Sequence, residues 1–595
     1  MDYLYLEILT NNLSNDEVEV FTTIPSFIAL YVYRYLGSPP NVKIKFVPST
    51  LSCEMQLNFT HYLHSQQQKD ILREESYTYQ AIQDLRLPVY YKNEDIFVAG
   101  VCAVCRELVA RQQNLEVRRL LGFKESCLLS PSETSVWTKF CEVDIVKALK
   151  HLLLCNSLKQ NIKEIPVETV RFEKHMNEPV RMHNIYKVAR ERANQTKSQL
   201  NNDIKNTRIM IDCKIPKEEL QIEHKFAEGV LFTIADLILY PCLRLIFHFS
   251  RNMLENFPLT CSWFAEVDKL EPKCKAVLDE LYLYPNVSSV KEGLVSILSI
   301  PYCESKSLYK SDPKRYRPRN RVFTAQRDVD ATLNKLHTLR LNYNSDCSKT
   351  FDKKSIDWQR IEPSHAKSCA LPEERLERKR QQLENLANAA ISLAEPGNRI
   401  IDFCSGTGHL GILLALHLPQ CTIILMENKP ESLQRAKLRA LELKLSNIKF
   451  YQCNIDYFKG KFNIGTSLHA CGTATDIVLQ QCRQAKANFV CCPCCYGSLK
   501  SMPHITYPLS KQFRQVLSEK DFMYIAHTAD QAHELGTLNC KPEITKQGQL
   551  CMDIVDTDRK LQAEEAGYEV ILTRLKPEDC TPKNRLLVGF LKKES

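Results

Sequence analysis

The sequence predicts a multidomain protein: a small N-terminal α/β domain, an all-helical domain, and a C-terminal α/β domain built on a mainly parallel sheet. Three observations predict it. A length of 595 residues implies about three to five domains at roughly 100–200 residues each. Strand and helix signals alternate in the first quarter, give way to helical periodicity from about 130 to 299, and alternate again after 399. Glycine is scarce and late: five of 17 (Gly37, Gly100, Gly122, Gly229, Gly293) precede Gly397, while Gly406, Gly408 and Gly411 fall within six residues. So sparing a chain places glycine where the backbone must turn tightly or approach a ligand closely. The expected boundaries are 1–125, 126–300, a basic linker over 301–370, and 371–595.

Hydrophobic and charged fractions of 44% and 25% exclude a wholly disordered or collagen-like chain. Residues Met1 to Leu13 carry no positive n-region, and the richest apolar run, Val230 to Phe249, is broken by Asp236, Pro241, Arg244 and His248. That run reads as a buried helix and not a membrane span. Without an export signal, the 25 cysteines are expected as reduced thiols, metal ligands or catalytic groups, in a cytoplasmic chain. The net charge of +9 alone says little about a polyanionic partner.

In the first quarter, Glu17–Thr23 reads as a strand, and Pro25 and Ser26 open a helix to Leu36. Val42–Val47 is a second strand; Leu87–Tyr91, with Pro88 near its start, is a third; Asp95–Val98 follows, then a helix over Cys102–Ala110. This order resembles the thioredoxin-like fold, which often places a cis-proline where Pro88 stands.

In the helical stretch, Thr233 and Asp236 have the spacing of a capping box, followed by Leu237-Ile238-Leu239-Tyr240. Together with Phe257-Pro258-Leu259 and Trp263, this resembles the all-helical domain of glutathione S-transferases. The resemblance covers roughly residues 17–300 and implies a two-part transferase-like half. In that family an acidic residue and a serine after the fourth strand hold glutathione; here the stretch is Ala99-Gly100, with neither charge nor hydroxyl. Thr22, Thr23 and Ser26 are the candidates near the thiol-activating position, and none stands there unambiguously. The half is therefore expected to be a scaffold for a protein partner or a second copy, without bound glutathione.

Lys306–Arg321 holds seven basic residues against Asp312, with Tyr309 and Tyr316 interleaved. Such a stripe can pair phosphates while an aromatic ring stacks on a base, which makes RNA a candidate partner. Taken by itself, the segment fits a solvated basic linker slightly better. Glu373–Leu393 is then a helix with Arg375, Arg378, Lys379 and Arg380 as its charged face.

Arg399–Phe403 is a buried strand, followed by Cys404-Ser405-Gly406-Thr407-Gly408-His409-Leu410-Gly411 and a helix. Such a loop lets the backbone turn under a ligand at a helix start. Thr422–Met426 ends at Glu427, 25 residues after Asp402, where a carboxylate can grip ribose hydroxyls. Ile448–Gln452 is a third strand with Asn454 and Asp456 beyond it; Phe462–Leu468 and Asn488–Cys492 follow, and Tyr568–Leu575 with Arg585–Phe590 form a closing hairpin. The hairpin and the Asp402/Gly406/Gly408/Glu427 set resemble the seven-stranded, Rossmann-like class I S-adenosylmethionine-dependent methyltransferases. The resemblance implies S-adenosyl-L-methionine as cofactor, held by Asp402, Gly406, Gly408, Glu427, Asn454 and Asp456.

Two further segments, Leu468-His469-Ala470-Cys471-Gly472-Thr473-Ala474-Thr475-Asp476 and Cys491-Cys492-Pro493-Cys494-Cys495-Tyr496-Gly497, close the fourth and fifth strands of this domain. They resemble motifs of a eukaryotic tRNA 2′-O-ribose methyltransferase family, although no Cys/His zinc finger precedes the domain here. The whole chain resembles the glutathione S-transferase C-terminal domain-containing protein family.

Strand ends on the carboxyl side of a parallel sheet line the ligand crevice, so His469, Cys471, Cys494 and Cys495 are the candidate catalytic residues. His469 could orient or deprotonate a hydroxyl. Cys471 and Cys494 could act as a thiol pair, as in RNA cytosine-5 methyltransferases. Cys491, Cys494 or Cys495 could instead bind zinc with His469 and Cys471. Cys491 and Cys492, on the strand itself, read as packing residues. The functional expectation is an S-adenosylmethionine-dependent methyltransferase acting on RNA, at a ribose 2′-hydroxyl or a base. The competing expectation is an inactive scaffold, and glutathione transferase activity is not expected.

Overall fold

The computed structural model describes the chain except for residues 12–18, 49–56, 59–79, 94, 133–134, 158–162, 181–184, 201–209, 221, 283–298, 305, 310–323, 344–350, 352–355, 359–360, 362–372, 503, 532–541 and 593–595. It divides into two compact units, Met1–Lys314 and Arg315–Ser595.

In the first unit, β1 (Asp2–Asn11) is the central strand. β2 (Glu19–Thr22) and the two-residue β4 (Leu57–Asn58) extend one end of it. β3 (Val42–Pro48) runs parallel to β1, and β5 (Val89–Lys92) lies antiparallel on it, followed by β6 (Ile96–Ala99). The first strand therefore lies upstream of Glu17–Thr23, where the sequence placed it. The reason is burial on both faces: Leu4, Tyr5, Leu6, Ile8 and Leu9 are all in the core, so the segment lacks the alternation that marks a half-exposed strand. Helix Ile24–Tyr35 begins with Pro25 in its first turn, and the Leu87–Pro88 bond is cis.

The rest of the unit is helical around Ile234–Phe249. The capping carboxylate is shared more widely than a local box requires. Asp236, with 0% exposure, accepts the Thr233 N–H at 2.9 Å, the Ala227 N–H at 2.7 Å and the Trp263 indole N–H at 2.8 Å. Three donors satisfy a carboxylate that burial alone would leave costly. Trp263 then packs edge-on against Phe172. No helix among the described residues is long and apolar enough to cross a membrane.

Much of the basic stripe, residues 310–321, lies outside the described residues. Of the part described, Lys306 pairs with Glu304. The Tyr309 hydroxyl lies 3.1 Å from His224 Nε2, and its ring packs against His175. Tyr309 thus belongs to the packing of the first unit. Farther along the stretch read as a linker, Gln326–His337 is a helix whose Lys335 meets Asp521 of helix Glu519–Ala529 at 2.9 Å.

The second unit carries β7 (Arg399–Phe403), β8 (Thr422–Met426), β9 (Ile448–Gln452), β10 (Ile464–Cys471), β11 (Asn488–Cys494), β12 (Tyr568–Arg574) and β13 (Arg585–Leu591). Their order across the sheet is β9-β8-β7-β10-β11-β13-β12, with β13 antiparallel to both neighbours and the first five parallel. The chain steps outward from β7 through β8 to β9, then returns to the other side of β7 at β10. That reversal opens a crevice at the carboxyl ends of β7 and β10. This is the methyltransferase-type Rossmann-like sheet.

Candidate functional site

Asp402 lies one residue before the end of β7 and is 2% exposed. Its Oδ2 accepts the Gly411 N–H at 2.9 Å, across the loop it closes. Burial pushes this carboxyl up to about 7, assisted by the nearby Glu427 and opposed by the Gly411 N–H and Lys379. The turn passes through Gly406 and Gly408, both with positive φ (56° and 74°). At Gly408 an added Cβ would meet Leu425 Cδ1 at 2.7 Å, whereas at Gly406 it would meet nothing within 4 Å. Gly408 is thus small because the fold packs against it, and Gly406 borders open space.

Glu427, immediately after β8, ties the two loops together. Its Oε2 accepts the Gly406 N–H at 2.8 Å and its Oε1 the Lys429 N–H at 3.0 Å. Asn428 Nδ2 lies 3.5 Å from Asn454 Oδ1 past the end of β9. Half-exposed Asp456 sits in the short turn Ile455–Tyr457. The six residues expected to hold a cofactor therefore sit at the carboxyl ends of three adjacent parallel strands and on the loops that follow them.

The opposite wall comes from β10 and β11. Between Leu468 and Cys471 the register with β11 shifts, and His469 takes a left-handed backbone (φ 69°). His469 Nε2 lies 2.9 Å from Gln382 Oε1 on helix Glu373–Leu393, and Gln382 Nε2 donates to the Cys580 carbonyl at 2.9 Å. Because the amide nitrogen is committed to Cys580, its oxygen faces the imidazole. His469 then carries its proton on Nε2 and its lone pair on Nδ1. Burial, and after it Lys379, lowers the imidazole to about 4, so it is neutral at physiological pH. Nothing near His469 in the sequence points to Gln382 or Lys379; their only signal is the charged helix on which they lie.

The same register shift sets Cys471 opposite Cys494. Their sulfurs are 3.3 Å apart, and Cys495 Sγ, on a residue with φ 51°, is 3.5 Å from Cys471 Sγ. The hydrogen bond shared with the Cys494 thiol lowers Cys471 to about 6; burial opposes this, and Cys495 assists. Cys494 and Cys495 are pushed up correspondingly and stay protonated. Cys491 and Cys492 are fully buried on β11. Among the described residues, the metal-sized group of donors is Cys471, Cys494 and Cys495, which leaves out Cys491 and His469.

Asp476, which closes the His469-to-Asp476 motif, has a structural task. Arg559 holds it through Nε at 2.7 Å and Nη2 at 3.0 Å, all of it buried. On the other side, Gly497 donates its N–H to Asp530 Oδ2 at 2.8 Å, and Lys583 bridges to Asp530 Oδ1 at 2.9 Å.

Residues 378–502 match a family of proteins described as "Methyltransferase domain". A relative from Drosophila pseudoobscura pseudoobscura, a glutathione S-transferase C-terminal domain-containing protein homolog, is 60% identical over 100% of both chains. The chain belongs to the glutathione S-transferase C-terminal domain-containing protein family. The human member is 33% identical, over 85% of this chain and 86% of its own. Among solved structures, an rRNA methylase from Streptococcus thermophilus overlaps 36% of this chain and 97% of its own, at 10% identity and a TM-score of 0.22. A SAM-dependent methyltransferase from Aquifex aeolicus overlaps 40% and 98%, at 12% identity and a TM-score of 0.22. Within this family member, the methyltransferase-domain match takes in Lys379, Gln382 and every site residue from Asp402 to Cys495.

Proposed function

We propose that this protein is an S-adenosyl-L-methionine-dependent methyltransferase acting on RNA, at a ribose 2′-hydroxyl or a base, with a glutathione-transferase-like first unit that is a non-catalytic scaffold. The observation that carries the first part is the Glu427–Gly406 bond. A buried carboxylate at the end of β8 holds open a left-handed glycine turn that borders empty space. That donor set fits an adenosyl cofactor: Glu427 for the ribose, the Asp402-to-Gly408 loop for the amino-acid end, and Asn454 with Asp456 for the adenine edge. When bound, the cofactor supplies an electrophilic methyl group. The chain's own part is to position the acceptor. His469, held neutral with its lone pair on Nδ1, can accept a hydrogen bond from the acceptor and orient it, and Cys471, lowered to about 6, supplies a polarisable anion.

Three features support the scaffold reading. The β1-β3-β5-β6 arrangement with its helices follows the thioredoxin-like order. The Cys102 N–H, which opens the helix after β6, is taken by buried Glu142 at 3.3 Å. Ser26 Oγ accepts the Glu7 N–H, and Thr22 Oγ1 donates to the Glu7 carbonyl. Two of the three candidate hydroxyls, Thr22 and Ser26, are thus engaged within the unit. The 21 cysteines among the described residues are all free, which supports a reducing, cytoplasmic setting.

Calorimetry with S-adenosylhomocysteine tests the cofactor, comparing wild type with Glu427→Ala. Heat in the wild type that falls sharply in the variant is expected, and no heat in either protein overturns the reading. Transfer of labelled methyl to total RNA tests the acceptor; label on protein alone rejects RNA.

A further inference from the structure

We infer that Cys471, Cys494 and Cys495 form a three-thiolate zinc site with its fourth position open to the crevice. Their sulfurs lie 3.3 and 3.5 Å apart, and all three fall within 4.8 Å of one another. Tetrahedral zinc with Zn–S bonds of about 2.3 Å sets neighbouring sulfurs roughly 3.8 Å apart. Both pairs that include Cys471 therefore reach that spacing with movements of a few tenths of an ångström. A disulfide between any two would need an approach to about 2.05 Å. Soft thiolates select zinc over the hard cations that carboxylates hold.

The backbone around these thiols is arranged to hold them in place. The register shift between Leu468 and Cys471 brings the last residues of two parallel strands face to face. Cys495 adopts φ 51°, a left-handed conformation that a non-glycine residue keeps only where its surroundings hold it. The turn is braced from behind: Gly472 N–H donates to the Cys494 carbonyl at 3.2 Å, and Gly497 N–H donates to Asp530. At Gly472 an added Cβ would lie 2.9 Å from Ser498, so the two strand-end loops approach as closely as backbone permits. Nothing in the sheet needs three sulfurs at this point, since Cys491 and Cys492 already fill the core of β11.

Cys494 is buried, Cys495 half-buried and Cys471 exposed. An ion held there would be anchored at its base and approachable from the crevice side. Three protein ligands with a free position is the pattern of an open site, in which a water or an acceptor oxygen completes the tetrahedron. The inference rests on the thiols alone and stands whether or not the protein transfers methyl groups.

The full chain, purified under reductant, is assayed for metal by mass spectrometry and then titrated with Co2+ as a spectroscopic probe. About one zinc ion per chain is expected, exchangeable for Co2+ with thiolate charge-transfer and intense tetrahedral d–d bands. Cys471→Ser and Cys495→Ser, neither of them at a fully buried position, should each abolish retained zinc and the bands. Cys213→Ser, at an exposed cysteine outside the cluster, should leave both unchanged. Heat of S-adenosylhomocysteine binding and the thermal transition report separately whether each variant is folded and whether the cofactor reading holds. Folded wild type with neither zinc nor cobalt bands overturns the site, as does full zinc retention in both cluster variants.

Discussion

His469 Nε2 lies 2.9 Å from Gln382 Oε1, and the Cys580 carbonyl fixes the amide from its other end. A side chain 87 positions away thus decides which nitrogen of the imidazole carries the proton. Replacing Gln382 with Leu should lower the methyl-transfer rate about 10–100-fold while leaving cofactor affinity unchanged, the usual cost of losing an orienting partner. Nitrogen-15 NMR of the imidazole separates positioning from general damage: the Nε2–H tautomer should dominate in wild type and mix in the variant. An unchanged rate in the variant would refute the role.

The glycine loop offers a paired contrast. Gly411→Ala places a Cβ 2.0 Å from Leu425 Cδ2 and 3.2 Å from Asp402 Oδ2, so the second unit should lose about 1–3 kcal/mol of stability. Gly406→Ala meets no atom and pays only for its left-handed backbone, about 1–2 kcal/mol, yet its methyl projects into the proposed cofactor space. Denaturant unfolding should rank Gly411→Ala as the more damaging to the fold. Calorimetry should find binding lost in Gly406→Ala even where the protein is folded.

Asp402 provides a pH dependence. Its carboxyl is raised from 3.8 to about 7 by burial. Between those values the unfolded chain has released the proton and the folded chain retains it, so the folded state binds more protons. Its contribution to stability is therefore complete below 3.8 and is lost as pH rises through about 7. Urea midpoints at pH 5 and pH 7.5 should show this decline in wild type and a flatter profile in Asp402→Asn.

Asp236 anchors the first unit through three N–H donors from Ala227, Thr233 and Trp263. Asp236→Ala leaves all three unsatisfied in the core and should cost about 3 kcal/mol or more. Thr233→Ala removes only the hydroxyl, whose bond to Asp236 is 3.2 Å, and should cost about 1 kcal/mol. Chemical unfolding of the two variants side by side checks the ranking.

What was legible in the sequence was local. The β7 loop, the carboxylate after β8 and the polar pair after β9 are each read from neighbours within a few residues, because a parallel strand places its functional groups at its own carboxyl end. Helix Glu373–Leu393 and the Thr233–Asp236 box likewise carry their signals in their own spacing. Strand β1 escaped for the opposite reason: buried on both faces, it shows no period to read. Asp476 closes the His469-to-Asp476 motif, and Arg559, 83 positions on, holds it in the core. Tyr309 sat in a basic stripe and proved to be packed against histidines.

The sequence by itself determined the order of strands and helices, the glycine turn, and the residue types at each strand end. Only the tertiary structure decided which of those residues meet. The one-step register shift between β10 and β11 gathered Cys471, Cys494 and Cys495 and excluded Cys491 and Cys492. Packing of a distant helix gave His469 its partner. Both outcomes depend on how separate segments dock, and docking is set by burial summed over the whole sheet, which no local spacing encodes.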